Sequence, residues 1–432
     1  MNHKILRIAL PSIVSNITVP LLGLVDTAIT GHLGAASYIG AVAVGSAIFS
    51  MIYWIFGFLR MGTGGLTAQA LGADDDDACL LILLRALLMG AAIALVLVVL
   101  QQPLLQLSLS IMDATPEVEA GARTYFHVLI WGAPAVLCTY GMMGWFLGMQ
   151  DAKSPMYIAI TQNVINIAVS LGLVVGLGWK VEGVATGTLV SQWSGLLLAA
   201  LLWRRKGLRL SPQGLRRRIL EGTALRKFFD VNRDIFLRTL CIVAVLTYFT
   251  AAGAQQGDVI LAVNALLMQF SMVFSYVMDG FAYAGEALGG RFYGARDTVS
   301  LHRLMRYLFG WGCVLVAVCM TGFAIAGHGI VALLTDNAAV RSAAEPYLPY
   351  AIAFPAASFA AFIYDGLFIG TTRTRGMLWA VGTATAVFFT FYFALRPALA
   401  NHALWVAYLA YLAVRGVVQY FLYRHYTRSG LW

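Results

Sequence analysis

One acid, Asp26, lies deep in the apolar run Leu10 to Leu33, LPSIVSNITVPLLGLVDTAITGHL. An ionised carboxylate in hydrocarbon costs ~3 kcal/mol on insertion scales, so it persists only where it is paired, faces water or takes up a proton. Pro11 and Pro20 share the run, and each removes a helix hydrogen bond and predicts a bend. A buried acid on a bendable helix suits a proton-coupled switch. Its partners are sought among polar residues at similar depth. In TQNVINIAVSLG, Asn163, Asn166 and Ser170 share one helix face. In VEGVATGTLVSQW, Thr186, Thr188, Ser191 and Gln192 add hydroxyls and an amide, and Gln69 closes an earlier run. Asn166 and Thr188 are the partners expected of Asp26, which needs donors when charged and an acceptor when protonated. Interhelical glue is the plainer reading of Ser170, Thr186, Ser191 and Gln192.

The second half of the chain carries Asp279, Glu286 and Asp365 as further polar candidates. Asp279 and Glu286 are seven residues apart, two turns on one helix face. Arg238 is the buried cation placed to pair with one of these acids. Aromatic and methionine residues (Phe270, Phe274, Tyr276, Met268, Met272 among them) are dense here, and such faces suit apolar and cationic guests of variable shape.

These residues must be positioned by membrane helices. The chain has 432 residues, 60% hydrophobic and only 11% charged, where soluble domains carry about 25% charge. Long continuous apolar runs predict an all-α integral membrane protein. Twelve spans are expected, at roughly 8–31, 37–60, 80–100, 123–148, 156–178, 181–203, 228–252, 258–288, 302–327, 342–369, 376–395 and 403–424. Residues 1–203 form one six-helix lobe and 228–432 another, joined by the basic cytoplasmic linker 204–227. Gln101 to Gly121 reads as a second polar break. The net charge of +9 is mostly loop arginine and implies no nucleic-acid partner. With both termini in the cytoplasm, only Arg123, Lys180, Arg341 and Arg396 of the 29 basic residues lie outside. The five cysteines have no paired spacing and predict neither disulfide nor metal site. The first run is too long for a signal-peptide core and lacks a cleavage pattern.

The two lobes repeat each other. Phe49-Ser50-Met51 matches Phe270-Ser271-Met272, and Gly144 to Gly148 with Asp151 to Lys153 matches Gly366 to Gly370 with Arg373 to Arg375, at shifts close to 222 residues. Six-span halves keep the same orientation, which predicts lobes related by a pseudo-two-fold repeat about the membrane normal.

The stretches LPSIVSNITVPLLGLVDTAITGHLG, FLRMGTGGLTAQALGA, MDGFAYAGEALGGRFYGARD and YDGLFIGTTRTR together resemble the multidrug and toxic compound extrusion (MATE) transporters. The resemblance is nearest to the branch named for DNA-damage-inducible protein F. It implies two six-helix bundles forming a V and cation-coupled efflux of organic, often cationic, compounds. It implies that Asp26 takes up the coupling proton, that Pro11 bends with protonation, and that Asn166 and Thr188 are the polar partners of Asp26. Where many relatives carry a second acid in the fifth span, this chain has Ser170, and no acid lies within Leu240 to Ala254. Both departures disfavour sodium and favour H+ as the coupling ion, with no cofactor.

The expectation is therefore a monomeric antiporter of the bacterial inner membrane, exchanging protons for amphiphilic small molecules amid membrane lipid. The alternative of similar architecture, a lipid-linked oligosaccharide flippase, calls for a larger cationic cavity than Arg238 and Arg415 supply. An enzyme needs a nucleophile–base or metal constellation, and the seven histidines have no ligand spacing.

Overall fold

The computed structural model describes residues 1–31, 36–112, 115–207 and 218–430, with only the backbone of 19, 21, 22, 24, 27 and 36. His32, Asp113 and residues 208–217 of the basic linker lie outside the described residues. The described chain is helical, as its uninterrupted apolar runs require. In order the helices are α1 (Asn2–Gly31), α2 (Ala36–Ile55), α3 (Phe58–Gly72), α4 (Asp76–Val99), α5 (Gln101–Met112), α6 (Pro116–Leu129), α7 (Ala133–Gly148), α8 (Lys153–Leu171) and α9 (Val181–Arg205). There follow α10 (Gly222–Ala254), α11 (Asp258–Gly294), α12 (Thr298–Leu334), α13 (Ala338–Ala344), α14 (Leu348–Gly370), α15 (Thr374–Leu399) and α16 (Asn401–Arg428).

Eleven spans among the described residues are long and apolar enough to cross a membrane. Helix α1, at 30 residues, carries side chains outside the described set and stands beside them as the twelfth. Several spans are composite: α2 with α3 covers 37–72, and α6 with α7 covers 116–148 through a 3-10 turn at Ile130–Gly132. The stretch 101–121, which reads as a polar break, instead holds α5 and the start of α6. Its glutamines and serines obscure leucines spaced to cover one face, with Leu105 and Leu109 buried.

Contacts divide the chain into two compact units, Leu10–Phe229 and Met1–Ala9 with Asp230–Trp432. The sequence reading keeps residues 1–9 in the first lobe, whereas their recorded partners lie in the second unit. Lys4 Nζ lies 5.9 Å above the Phe292 ring, and Trp311 Nε1 donates to Asn2 Oδ1 at 3.3 Å.

The repeat is visible in the backbone. A shift of 222 positions carries the starts of α2, α4 and α6 (36, 76, 116) onto those of α11, α12 and α13 (258, 298, 338). It carries the ends of α3, α5 and α7 (72, 112, 148) onto those of α11, α12 and α14 (294, 334, 370). The left-handed residues follow the same shift: Asp74 and Arg296 (φ 54° and 55°), Gln150 and Thr372 (61° and 53°), Gly178 and Ala400 (70° and 47°). So do the N-caps, where Asp75 accepts from Ala78 N at 2.8 Å and Asp297 from Ser300 N at 2.9 Å.

Each unit is seamed by the same small-residue crossing. A Cβ at Gly144 would run into the Arg60 carbonyl oxygen, and one at Gly148 would lie 2.6 Å from that of Gly64. In the second unit Gly366 faces the Ala282 carbonyl and Gly370 that of Glu286, again 222 positions on. In lipid, helices gain little from burying apolar surface against each other. Close backbone approach through glycine, with the dispersion contacts it allows, supplies the attraction instead.

Candidate functional site

Helix α1 stays helical through Pro11 and Pro20, both half-buried. Two α1 carbonyls near Pro20 accept from side chains. Asn163 on α8 donates through Nδ2 to the Thr18 carbonyl at 2.9 Å, and the Thr18 hydroxyl donates to the Ser15 carbonyl at 2.7 Å. Two turns further on sits Asp26, 5% exposed. The side chains that approach its carboxyl are Asn166 of α8 and Thr188 of α9. Its Oδ1 makes no hydrogen bond, and among the described residues no lysine or arginine forms an ion pair with it.

Asn166 Nδ2 donates to Thr188 Oγ1 at 2.9 Å, and the Thr188 hydroxyl donates in turn to the Val184 carbonyl at 3.1 Å. Asn166 Oδ1, fully buried, accepts nothing. The amide therefore keeps one N–H for a carboxylate and one free acceptor for a carboxylic acid. Either protonation state of Asp26 can be met by the same side chain.

One neighbour of Asp26 has no signature in the sequence. Tyr125 of α6 is buried, its hydroxyl lies 3.2 Å from that of Ser46 on α2, and it stands within electrostatic reach of Asp26 and beside Thr188. Gly45 makes room for it, since a Cβ there would enter the Tyr125 ring. A lone tyrosine in an apolar run has no spacing to betray it; the glycine one residue before a serine was the only hint.

The other candidates divide. Ser170 is fully buried against Gly187 of α9, where a Cβ would strike its hydroxyl, so it serves close packing of α8 on α9. Gln69 is half-buried in the last turn of α3. In the second unit Asp279 is half-buried and Glu286 is 1% exposed beside the α11–α14 seam. Of the acids offered to Arg238, Asp365 takes it, and Arg415 binds the same Oδ2 at 2.5 Å while Gln419 Nε2 donates to Oδ1 at 2.6 Å. Asp365 is thus enclosed in a cationic cluster.

The repeat shows what became of the Asp26 position in the second unit. The residue 222 positions on is Tyr248, and the counterpart of Asn166 is Phe388. Tyr248 packs edge-on to Phe388 and Phe389, with centroids 6.3 and 5.0 Å away. A polar, ionisable site in one unit is an aromatic core in the other. Among the described residues no group of three or more His, Cys, Asp or Glu gathers as a metal site would.

Comparison with known proteins agrees with this architecture. The MatE family model matches residues 11–171 and 235–393, one block in each half. The chain is 38% identical to DNA damage-inducible protein F of Escherichia coli (strain K12), across 99% of this chain and 93% of that protein. It is 22% identical to the probable multidrug resistance protein NorM of Acinetobacter baylyi, across 83% and 80%. A crystal structure of MATE in the bent conformation shares the fold with a TM-score of 0.87 at 19% identity, covering 99% of this chain and 95% of that one. A membrane-embedded helical protein with duplicated halves, matched by the family model in both and by a relative over nearly its whole length, belongs to the MatE family of transporters.

Proposed function

We propose that this transporter is a proton-coupled antiporter that exports amphiphilic organic compounds across the bacterial inner membrane, with both termini in the cytoplasm. The observation that carries the reading is the Asp26 carboxyl, enclosed, with no ion-paired cation among the described residues, and served by an asparagine that can meet it charged or neutral. A carboxylate so placed is costly unless water or a donor reaches it, and a proton removes that cost. Proton uptake at Asp26 changes which hydrogen bond Asn166 makes, and α1, which lacks two backbone N–H donors at Pro11 and Pro20, is the element with slack to move in response. Relatives named for multidrug resistance support amphiphilic cargo over a lipid-linked oligosaccharide.

The test is Asp26→Asn in proteoliposomes, with dye efflux driven by an imposed pH gradient. Gradient-driven efflux is expected to vanish while folded protein is recovered at wild-type yield. Efflux at the wild-type rate from that variant overturns the assignment.

A further inference from the structure

The second unit buries a cluster whose charges do not cancel. Arg238 and Arg415, 8% and 7% exposed, both bind the single carboxylate of Asp365, and among the described residues neither makes another ion pair. Asp234, one turn before Arg238, is engaged by Arg233 at 3.2 Å and by Thr374 at 3.1 Å, so it does not supply the missing charge. Two cations on one anion leave a net positive charge inside the membrane span. The donors are not used up either: Arg238 Nε and Arg415 Nε are buried without a hydrogen bond among the described residues, and the Tyr411 ring lies 5.7 Å from the Arg415 guanidinium. An enclosed, uncompensated guanidinium is expensive, and it persists where a mobile anion joins it for part of the working cycle.

We propose that this cluster is a subsite for the anionic head of an amphiphile: a carboxylate, sulfonate or phosphate monoanion that docks on Arg238 and Arg415 while its apolar body lies among the aromatic residues of the same unit. A guanidinium is suited to this by its planar fork of donors, which matches an oxyanion. The site rests on the transport reading for its purpose, but not for its binding. Its guest is either a cargo molecule or a headgroup of the bilayer, and both present the same oxyanion.

The experiment measures equilibrium binding of fluorescent dansylaminoundecanoic acid and of its methyl ester to the full chain in phosphatidylcholine nanodiscs. The acid is expected to bind about tenfold tighter than the ester, and Arg238→Gln or Arg415→Gln to remove about that factor for the acid alone. Arg415→Lys, which keeps the charge, retains a preference for the acid. Asp365→Asn raises the net charge and is expected to strengthen acid binding, whereas a purely structural cluster would lose it along with the arginine variants. Equal binding of acid and ester by the unaltered protein overturns the proposal, a result that needs no variant to fold. Survival of the preference in both glutamine variants overturns it too. Phosphatidylglycerol added to the nanodisc weakens probe binding where the headgroup is a guest and leaves it unchanged where cargo alone is; either result supports the site and names its source. Asp26→Asn is expected to leave the preference intact, so failure of proton coupling and failure of this subsite are read separately.

Discussion

A methyl group added at Gly148 and at Gly370 should cost the protein equally. At Gly148 the new Cβ would lie 2.6 Å from the Gly64 carbonyl oxygen and 3.0 Å from the Ala68 nitrogen. At Gly370 it would meet the Glu286 carbonyl oxygen and lie 2.8 Å from the Gly290 nitrogen. These partners are backbone and cannot rotate away. Against an ordinary separation of ~3.5 Å the helices must part by about 1 Å, which forfeits a large share of the dispersion along the seam. Overpacking of this kind costs about 1–3 kcal/mol. Gly382, inside α15 with nothing within 4 Å of its would-be Cβ, is the control. Alanine there should be neutral or stabilising, because it lowers the entropy of the unfolded chain. Thermal unfolding in detergent can be followed with a thiol-reactive dye, since Cys79 is buried and becomes labelled only on unfolding. Gly148→Ala and Gly370→Ala should each lower the midpoint by several degrees, at ~2 °C or more per kcal/mol. Lying in separate units, they should add when combined. Either variant melting with the unaltered protein would refute a shared seam, as would one costing several times the other.

Three more expectations follow from hydrogen bonds in the first unit. Thr188→Val removes the acceptor of Asn166 and should cost about 1–3 kcal/mol in stability and slow pH-driven efflux, while Ser191→Ala, whose hydroxyl only donates to the Thr188 carbonyl, should leave efflux unchanged. Arg85, buried in α4, holds the carbonyls of Arg218 and Ile219 at 2.7 and 3.0 Å; in Arg85→Met, trypsin should cut between Arg205 and Glu221 about tenfold faster, for the loss of ~1.5 kcal/mol in charged hydrogen bonds. Burial works against the charge of Asp151 in the turn after α7, but Lys206 at 2.7 Å and Ser154 outweigh it and hold the carboxyl below its ordinary range. A depressed carboxyl stabilises the fold above the unfolded-state value and loses that contribution as pH falls through the folded one. The stability gap between the unaltered protein and Asp151→Asn, ~1 kcal/mol at neutral pH, should therefore close below about pH 4 in melting experiments.

Helix order, the duplication and the polar depth of α1, α8 and α9 were legible because each leaves a periodic trace. Asn163 and Asn166 show their common face in their spacing, and 222 recurs in glycine-rich motifs. Contacts that join distant spans leave no such trace. Nothing near Asp365 in the chain announces Arg415 and Gln419, 50 and 54 residues later, and nothing near Asp26 announces Tyr125. Helix α5 is hidden for another reason: five polar side chains in twelve residues look like a loop until the spacing of its leucines is counted. Pairing by packing, rather than by pattern, is what only the folded chain displays.

The repeat keeps an acid at one of its two equivalent positions, Asp26, and an aromatic ring at the other, Tyr248. An exchanger that carries its proton on Asp26 alone moves one proton per turnover, and that sets a ceiling on accumulation. With ~2.3 kcal/mol from 100 mV and ~1.4 kcal/mol from one pH unit, a neutral cargo can be held at a ratio of a few hundred. For a monovalent cation the voltage cancels and the ratio falls to about ten, whereas for a monovalent anion the voltage counts twice and the ratio rises to about 25,000. On the proposed proton coupling, a single carboxyl in the pair of repeats would make the sign of the cargo's charge the main determinant of how far it is concentrated outside the cell.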